Sequence, residues 1–454
     1  MSEKVIIYSS FISKRLCYTL DLVFKHNMGL DYVCCESKSG YIESPLAKFN
    51  YSSIRLSDKE VFMPPQGLLS DNGISPTHPN LFTSPMDSPI SNTFPHDLLS
   101  CIFYLVTRYE EYHDDPKHFD EHGRFIAHFS VAHREGFLDR PIVNLWIELI
   151  KDELSLLFPY LIFKKHAYAY LPTYDIDMAW RYKHKGLIRL MGGLARDIAQ
   201  GKFDEVIHRV KTLQDKACDP DDTFDYIFSL TKRFNLNPIY FWLLSDYKKP
   251  FDINTHFETP ALRTLIQTIS KTNKVGIHPG YASNTNDEAL KQEVQRLADI
   301  LSVGTTPFRV TASRQHFLKL KFPQTYRRLL TLGIKEDYTM GYADAIGFRA
   351  GIASPFYWYD LEREETTDLM VHPFQVMDVT LLRYLHFSPN EAINKTKQII
   401  QWVKMTGGEF CTLWHNTSLC ETNEWHGWRK VYEEIIRMAI DTNPTSTTDH
   451  QSVI

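Results

Sequence analysis

Two carboxylates two residues apart, Asp175 and Asp177, close the extended apolar segment Ala167-Tyr-Ala-Tyr-Leu-Pro-Thr-Tyr-Asp-Ile-Asp177. Side chains alternate along a strand, so residues two apart share a face. Like charges held that close raise each other's pKa unless a cation lies between or beside them. The pair therefore reads as a metal site, an acid/base pair, or both. The apolar residues before it place the carboxylates at the C-terminal end of a buried strand, where α/β enzymes keep their chemistry.

Chemically capable side chains recur at later strand ends. His278 follows Lys274-Val-Gly-Ile and is stiffened by Pro279, with Tyr281 just beyond. Arg314 and His316 stand two apart in Phe308-Arg-Val-Thr-Ala-Ser-Arg-Gln-His316. Asp337 and Tyr342 belong to Lys335-Glu-Asp-Tyr-Thr-Met-Gly-Tyr342, and Arg349 lies between Gly347 and Gly351. His372 precedes Pro373, and His415 ends Cys411-Thr-Leu-Trp-His415. A single histidine at a strand end is more often a hydrogen-bonded core residue than a ligand. Convergence at corresponding strand ends is harder to explain as packing. Asp and His suit Zn²⁺ or a similar divalent ion, with a carboxylate and an imidazole left over for proton transfer. Tyr281, Tyr342, Arg349 and His372 are candidate substrate contacts. For Arg349 the better expectation is an ion pair with an acid such as Asp337 or Asp378, and for His372 structural and functional roles are equally expected.

The elements that must position these residues follow from periodicity. Residues 1–95 read as a small α/β module and linker: strands Val5–Tyr8 and Tyr32–Cys35 flank a helix around Leu16 to Lys25, and Asp71 to Pro95 is a Ser/Pro/Asn/Thr-rich loop. Residues 96–165 read as a helical connection with helices over His96–Tyr112 and Pro141–Leu157. The His- and Asp-rich run between them, through His118, Asp120, His122 and Arg124, is expected to be a solvated polar loop. From 166 to 454, strands ending near Asp177, Leu244, His278, Arg314, Tyr342, Val376 and His415 alternate with helices. That pattern implies a parallel sheet with right-handed crossovers, enough units for a (β/α) barrel of about seven strands.

Composition sets outer bounds. A chain of 454 residues with 43% hydrophobic and 23% charged residues is globular and long enough for more than one domain. Its formal charge of −5 offers no general attraction for nucleic acid, and no RNA-binding signature or C-x-x-C pair occurs. Seven scattered cysteines without ligand spacing read as reduced thiols. The N-terminal residues lack the apolar run of a signal peptide, and no run has the length of a membrane span, so a cytoplasmic location is expected.

The strand-end residues resemble the polysaccharide deacetylase family, the NodB-like carbohydrate esterases of family four, over about residues 166 to 440. Thr173-Tyr-Asp175-Ile-Asp177 is similar to the family's first motif with one residue inserted. The resemblance implies that Asp175 is the general base and Asp177 a metal ligand. The family's second motif supplies two histidines four apart; His278 matches the first, and Ala282 stands where the second would be. A catalytic zinc needs a third protein ligand, and His316 is the favoured substitute over a site that has lost its metal. The resemblance further implies that Arg314 holds the base carboxylate, that His415 is the general acid and that Asp337 orients it. The implied enzyme is a metal-dependent deacetylase of an N-acetylated sugar or polysaccharide precursor. Two other readings stay open: a noncatalytic carbohydrate-binding or assembly protein, favoured by Ala282, and another amidohydrolase on the same scaffold.

Overall fold

The computed structural model describes residues 4–441 except 78, 83–93, 95, 114, 166, 247, 249, 303 and 305. Much of the loop expected over Asp71 to Pro95 thus lies outside the described residues.

The chain begins with β1 (Lys4–Ser9), α1 (Lys14–Leu20), β2 (Asp31–Cys35), α2 (Lys38–Glu43), β3 (Ala47–Tyr51) and β4 (Val61–Phe62). These strands form a parallel sheet in the order β2-β1-β3-β4. Helix α1 starts where Ser13 caps Leu16 N, and a π-helical turn prolongs it to Met28. Gly29, at φ 68°, reverses the chain there, a conformation that glycine adopts without strain. Helices α3 (Leu98–Val106), α4 (Val131–Arg134) and α5 (Ile142–Leu157) follow. The carboxylate of Asp97 caps α3 through Ser100 N and also accepts from Tyr51 Oη at 2.7 Å, tying the helix to β3.

The remainder runs β5 (Tyr168–Ile176), α6 (Gly186–Ala199), α7 (Phe203–Leu213), α8 (Phe224–Arg233), β6 (Ile239–Trp242), α9 (Pro260–Ile269), β7 (Lys274–Ile277) and α10 (Asp287–Leu301). It continues through β8 (Ala312–Ser313), α11 (Gln324–Thr331), β9 (Glu336–Asp337), β10 (Phe356–Asp360), β11 (Glu365–Val371), β12 (Val376–Met377), α12 (Pro389–Thr406), β13 (Gly408–His415) and α13 (Trp428–Ile440). The nine strands pair in the order β10-β11-β9-β8-β7-β6-β5-β13-β12, all parallel except the β10–β11 hairpin. Six expected strand ends fall within two residues of those observed. The fifth strand ends at Asp337 rather than Tyr342, and the aromatic stretch Phe356–Tyr359 is half of the added hairpin.

Among the described residues the strand pairings do not close into a ring. A backbone bond from Phe374 N to Met340 O, at 3.0 Å, bridges the segments beyond β9 and before β12. Gly276 permits the close approach of β6, β7 and β8: a Cβ there would lie 2.6 Å from the Phe241 ring and 2.8 Å from Ala312 O.

One buried apolar cluster extends from Val5 to Ala439, so the N-terminal region shares its core with the large sheet. Tyr359 of β10 packs against Tyr18 at 4.9 Å and Phe103 at 5.3 Å. Each such pair adds about 0.5–1.5 kcal/mol beyond burial of area. Polar links cross the same boundary. Buried Glu111 pairs with Arg108 Nε at 2.7 Å and with Arg349 Nη2 at 2.5 Å.

Candidate metal centre

The C-terminal ends of β5, β7, β8 and β13 converge. Ligand atoms of Asp177, His278 and His316 all lie within 4.8 Å of one another. The three arrive from different strands: Asp177 just past β5, His278 just past β7, and His316 three residues past β8.

Hydrogen bonds around the rings orient the lone pairs. His278 Nδ1 lies 2.6 Å from Arg314 O, and a carbonyl only accepts, so Nδ1 carries a proton. Its Nε2 then faces Asp177 Oδ1 at 3.3 Å. His316 Nδ1 is held by Asp252 Oδ1 at 3.0 Å, with Nε2 3.7 Å from Asp177 Oδ2. Asp252 also accepts from Tyr281 N at 2.8 Å. Metal-binding histidines are oriented in this way, with the second ring nitrogen donating to a carbonyl or carboxylate.

Asp177 shows why a cation fits. Its side chain is 29% exposed, open to a ligand, yet its Oδ1 is buried and accepts no hydrogen bond. Burial works to raise its carboxyl, but the imidazoles of His316 and His415 hold it well below the ordinary value. A carboxylate oxygen and an imidazole lone pair facing each other are two acceptors, an arrangement that a divalent ion satisfies. Two histidines and one carboxylate are a ligand set known for catalytic zinc.

Beside this group stand two pairs. Buried Asp175 receives Arg314 Nη1 at 2.9 Å, and the same nitrogen reaches Thr173 Oγ1 at 2.7 Å. Arg314 is further fixed by Nε donating to Tyr338 O at 2.8 Å, and its guanidinium lies 4.6 Å from the Phe241 ring centre. His278 Nε2 is 3.6 Å from Asp175 Oδ2, which brings this pair against the metal group. In the second pair, His415 Nδ1 meets Asp378 Oδ1 at 2.9 Å, while His415 N donates to Asp378 Oδ2 at 2.7 Å. His415 Nε2 points back to Asp177 Oδ2 at 3.9 Å. Burial lowers the pKa of His415, but the Asp378 carboxylate overcomes it and the ring is pushed up to about 10. His316 is raised to about 9, Asp177 and Asp252 outweighing burial.

Several expectations require correction. Asp337 does not orient His415. It accepts from Ser313 Oγ at 2.8 Å and from Thr339 N and Oγ1 at 2.9 Å, fastening β8 to β9. His372 is not in the pocket: it stacks on Tyr338 at 4.4 Å and meets Glu409 Oε2 at 2.8 Å. Glu409 lies near the start of β13, six residues before His415, roughly 20 Å at the strand rise. Tyr342 and Arg349 are buried in the Arg108–Glu111 network rather than in a cleft. Arg349 does form an ion pair, but with Glu111 and not with Asp337 or Asp378.

Tyr281 is the one candidate substrate contact beside the metal group. Its ring stacks on Phe251 at 4.1 Å and lies 5.3 Å from Phe317, the neighbour of His316. The loop expected to be solvated joins it there. His122 Nδ1 is 3.3 Å from Tyr281 Oη, and buried Arg124 donates to Tyr384 Oη at 2.8 Å.

Sequence reasoning missed Asp252 and Asp378 as supporting acids. Asp378 follows the two-residue strand β12, a strand end like those already considered. Asp252 lies in an irregular loop and carries no spacing signal.

A family model described as a family of unknown function, DUF7033, matches residues 5–159. No curated protein matches the chain. Among solved structures, the chain is similar to a protein assigned as a polysaccharide deacetylase from Mycobacterium smegmatis, at 12% identity over 61% of this chain and 86% of that one, with a TM-score of 0.38. It is also similar to PuuE allantoinase, at 11% identity over 64% of this chain and 98% of that one, with a TM-score of 0.34. At these scores neither likeness bears on activity.

Proposed function

We propose that the chain is a metal-dependent hydrolase that removes the acetyl group from an N-acetylated sugar or a precursor of a surface polysaccharide. The observation that carries this reading is the placement of two separate proton-handling pairs, Asp175–Arg314 and His415–Asp378, around one Asp-His-His group.

Asp177, His278 and His316 would hold the cation. When bound, a divalent ion there polarises the scissile carbonyl and lowers the pKa of a water. Asp175 accepts the proton of the attacking water, and Arg314 fixes the position of its carboxylate. His415, kept protonated by Asp378, donates a proton to the leaving nitrogen. Without that donor an amine anion would have to depart. Tyr281, with Phe251 and Phe317 around it, offers an apolar wall of the kind sugar rings stack on. The products are acetate and an amino sugar. A cytoplasmic location is part of this reading and would select an intracellular precursor over mature cell-wall polymer.

The test is the metal content of chelator-treated protein after reloading with zinc, cobalt or nickel, for wild type, His278→Ala and His316→Ala. Close to one equivalent in wild type and loss in both variants, together with acetate release from N-acetylated oligosaccharides, supports the reading. No uptake of any ion by wild type would sink it and leave a carbohydrate-binding protein as the better account.

A further inference from the structure

Helices α6 and α7 are packed inside out. The only buried residue of α6 is Asp197, and those of α7 are Arg209 and Thr212. Arg209 and Asp197 form an ion pair between the two helices, and the guanidinium lies 4.5 Å from the Tyr182 ring centre. A Cβ at Gly193 would sit 2.8 Å from Arg209 Nη1, so α6 approaches this arginine through a glycine.

Leu190, Leu194 and Val206 are half-buried, but most of the large apolar residues face outward. Ile188 is 90% exposed, Leu187 73% and Phe203 64%, with Met191, Ile198 and Ile207 also exposed. Of the twenty large hydrophobic side chains exposed among the described residues, eight fall between 187 and 213. Leu187, Met191 and Ile198 share one face of α6, and Phe203, Ile207 and Val210 share one face of α7. A soluble surface rarely gathers apolar side chains in this way without a partner.

Charge identifies the partner. Residues 181–216 hold nine Lys and Arg against four Asp and Glu, a local net of +5 in a chain whose formal charge is −5. Lys202, Lys211 and Lys216 are exposed beside the apolar face. Against the hairpin lies a cleft of about 1230 Å³ whose charged lining is Arg181, Lys185, Arg189, Arg196, Lys202 and Arg209 against Asp197, Asp204 and Glu205, with Ile188 and Phe203 at its apolar side and Met178, the neighbour of Asp177, also lining it. Lys185 Nζ contacts Met178 Sδ at 3.0 Å, and burial lowers its ammonium to about 8. Six Lys and Arg against three Asp and Glu leave the cleft with an excess of cations, which suits an anion.

From this geometry we infer that the α6–α7 hairpin docks the protein on an anionic lipid bilayer, its apolar face in the headgroup–acyl boundary and its lysines and arginines among the lipid phosphates. An amphipathic element with cations beside a broad apolar face binds an interface in this manner, with affinity set by apolar area and by anionic lipid content. No helix among the described residues is long and apolar enough to cross a membrane, so the contact is one of surface docking.

The test is co-sedimentation of the full chain with phosphatidylcholine vesicles, alone or with 30 mol% phosphatidylglycerol. Binding to the anionic vesicles, weakened by salt, is expected. Leu187→Glu with Ile188→Glu should lower the partition coefficient at least ~10-fold. Lys202→Glu with Lys211→Glu should abolish the preference for phosphatidylglycerol. All four substitutions are at exposed positions, and unchanged circular dichroism and metal uptake would confirm that fold and metal site persist. Three results would overturn the inference: wild type staying in solution with both vesicles, equal binding by wild type and the Leu187/Ile188 variant, or a dimer in sedimentation that these glutamates dissociate.

Discussion

Asp378 grips His415 twice, by its ring Nδ1 at 2.9 Å and by its backbone N at 2.7 Å, so one carboxylate sets both the position and the protonation of the imidazole. This double contact gives Asp378→Asn a readable outcome. The amide no longer favours the imidazolium, so the pKa of His415 falls from about 10 towards its ordinary value. The acid form is then lost at lower pH, and the alkaline limb of the kcat/KM profile moves to lower pH. A fall in kcat of about 10²-fold or more is expected. A loss of activity with an unmoved alkaline limb would mean that Asp378 is only structural.

Asp252 touches the candidate metal group through His316. In Asp252→Ala the imidazole loses the acceptor that holds Nδ1–H, and metal affinity should fall about 10–100-fold. Competition with a chelator of known affinity measures this directly. Unchanged affinity would remove His316 from the ligand set.

Glu293 is buried beneath the loop that follows His278, accepting from Gly280 N at 2.8 Å and from Ser283 Oγ. Burial raises its pKa from 4.5 to about 7. A carboxyl raised in the folded state favours the protonated form, so its contribution to stability is full below about 4.5 and is lost as pH rises towards about 7. Glu293→Gln should therefore gain stability relative to wild type across that interval, by an amount on the order of 3 kcal/mol at its end. Denaturant melts at pH 4.5 and 7.5 check the sign; a constant difference between the proteins would refute the assignment.

Glu111 joins the N-terminal region to the large sheet through Arg108 and Arg349. Glu111→Ala leaves two buried guanidinium groups without this partner and should cost about 3–5 kcal/mol. Because the core is shared, loss is expected in a single cooperative transition. Two separate transitions in wild type would show that the regions fold independently.

Much of this arrangement is legible in the chain because it is local. Apolar runs mark β5 and β13, and α12 opens on a capping box between Ser388 and Glu391, three residues apart in the chain. Partnerships are less legible. His415 and Asp378 are 37 residues apart, and His316 and Asp252 are 64 apart, with no periodic pattern linking them. The two-residue strands β8, β9 and β12 are too short for alternation to show, so their register is set by neighbours.

The sequence by itself determined which residue types end the strands, because strand alternation and apolar runs are properties of adjacent residues. It thus placed Asp175, Asp177, His278, Arg314, His316 and His415 at candidate strand ends. Only the tertiary structure decided which of these meet. Parallel pairing brings His316 beside His278, and β12 delivers Asp378 rather than Asp337 to His415. The His372 ring instead pairs with Glu336 and Glu409, away from the Asp-His-His group. The packing of α6 and α7 is likewise tertiary: each helix is amphipathic in sequence, but only packing decides that Asp197 and Arg209 are buried while Leu187, Ile188 and Phe203 are exposed.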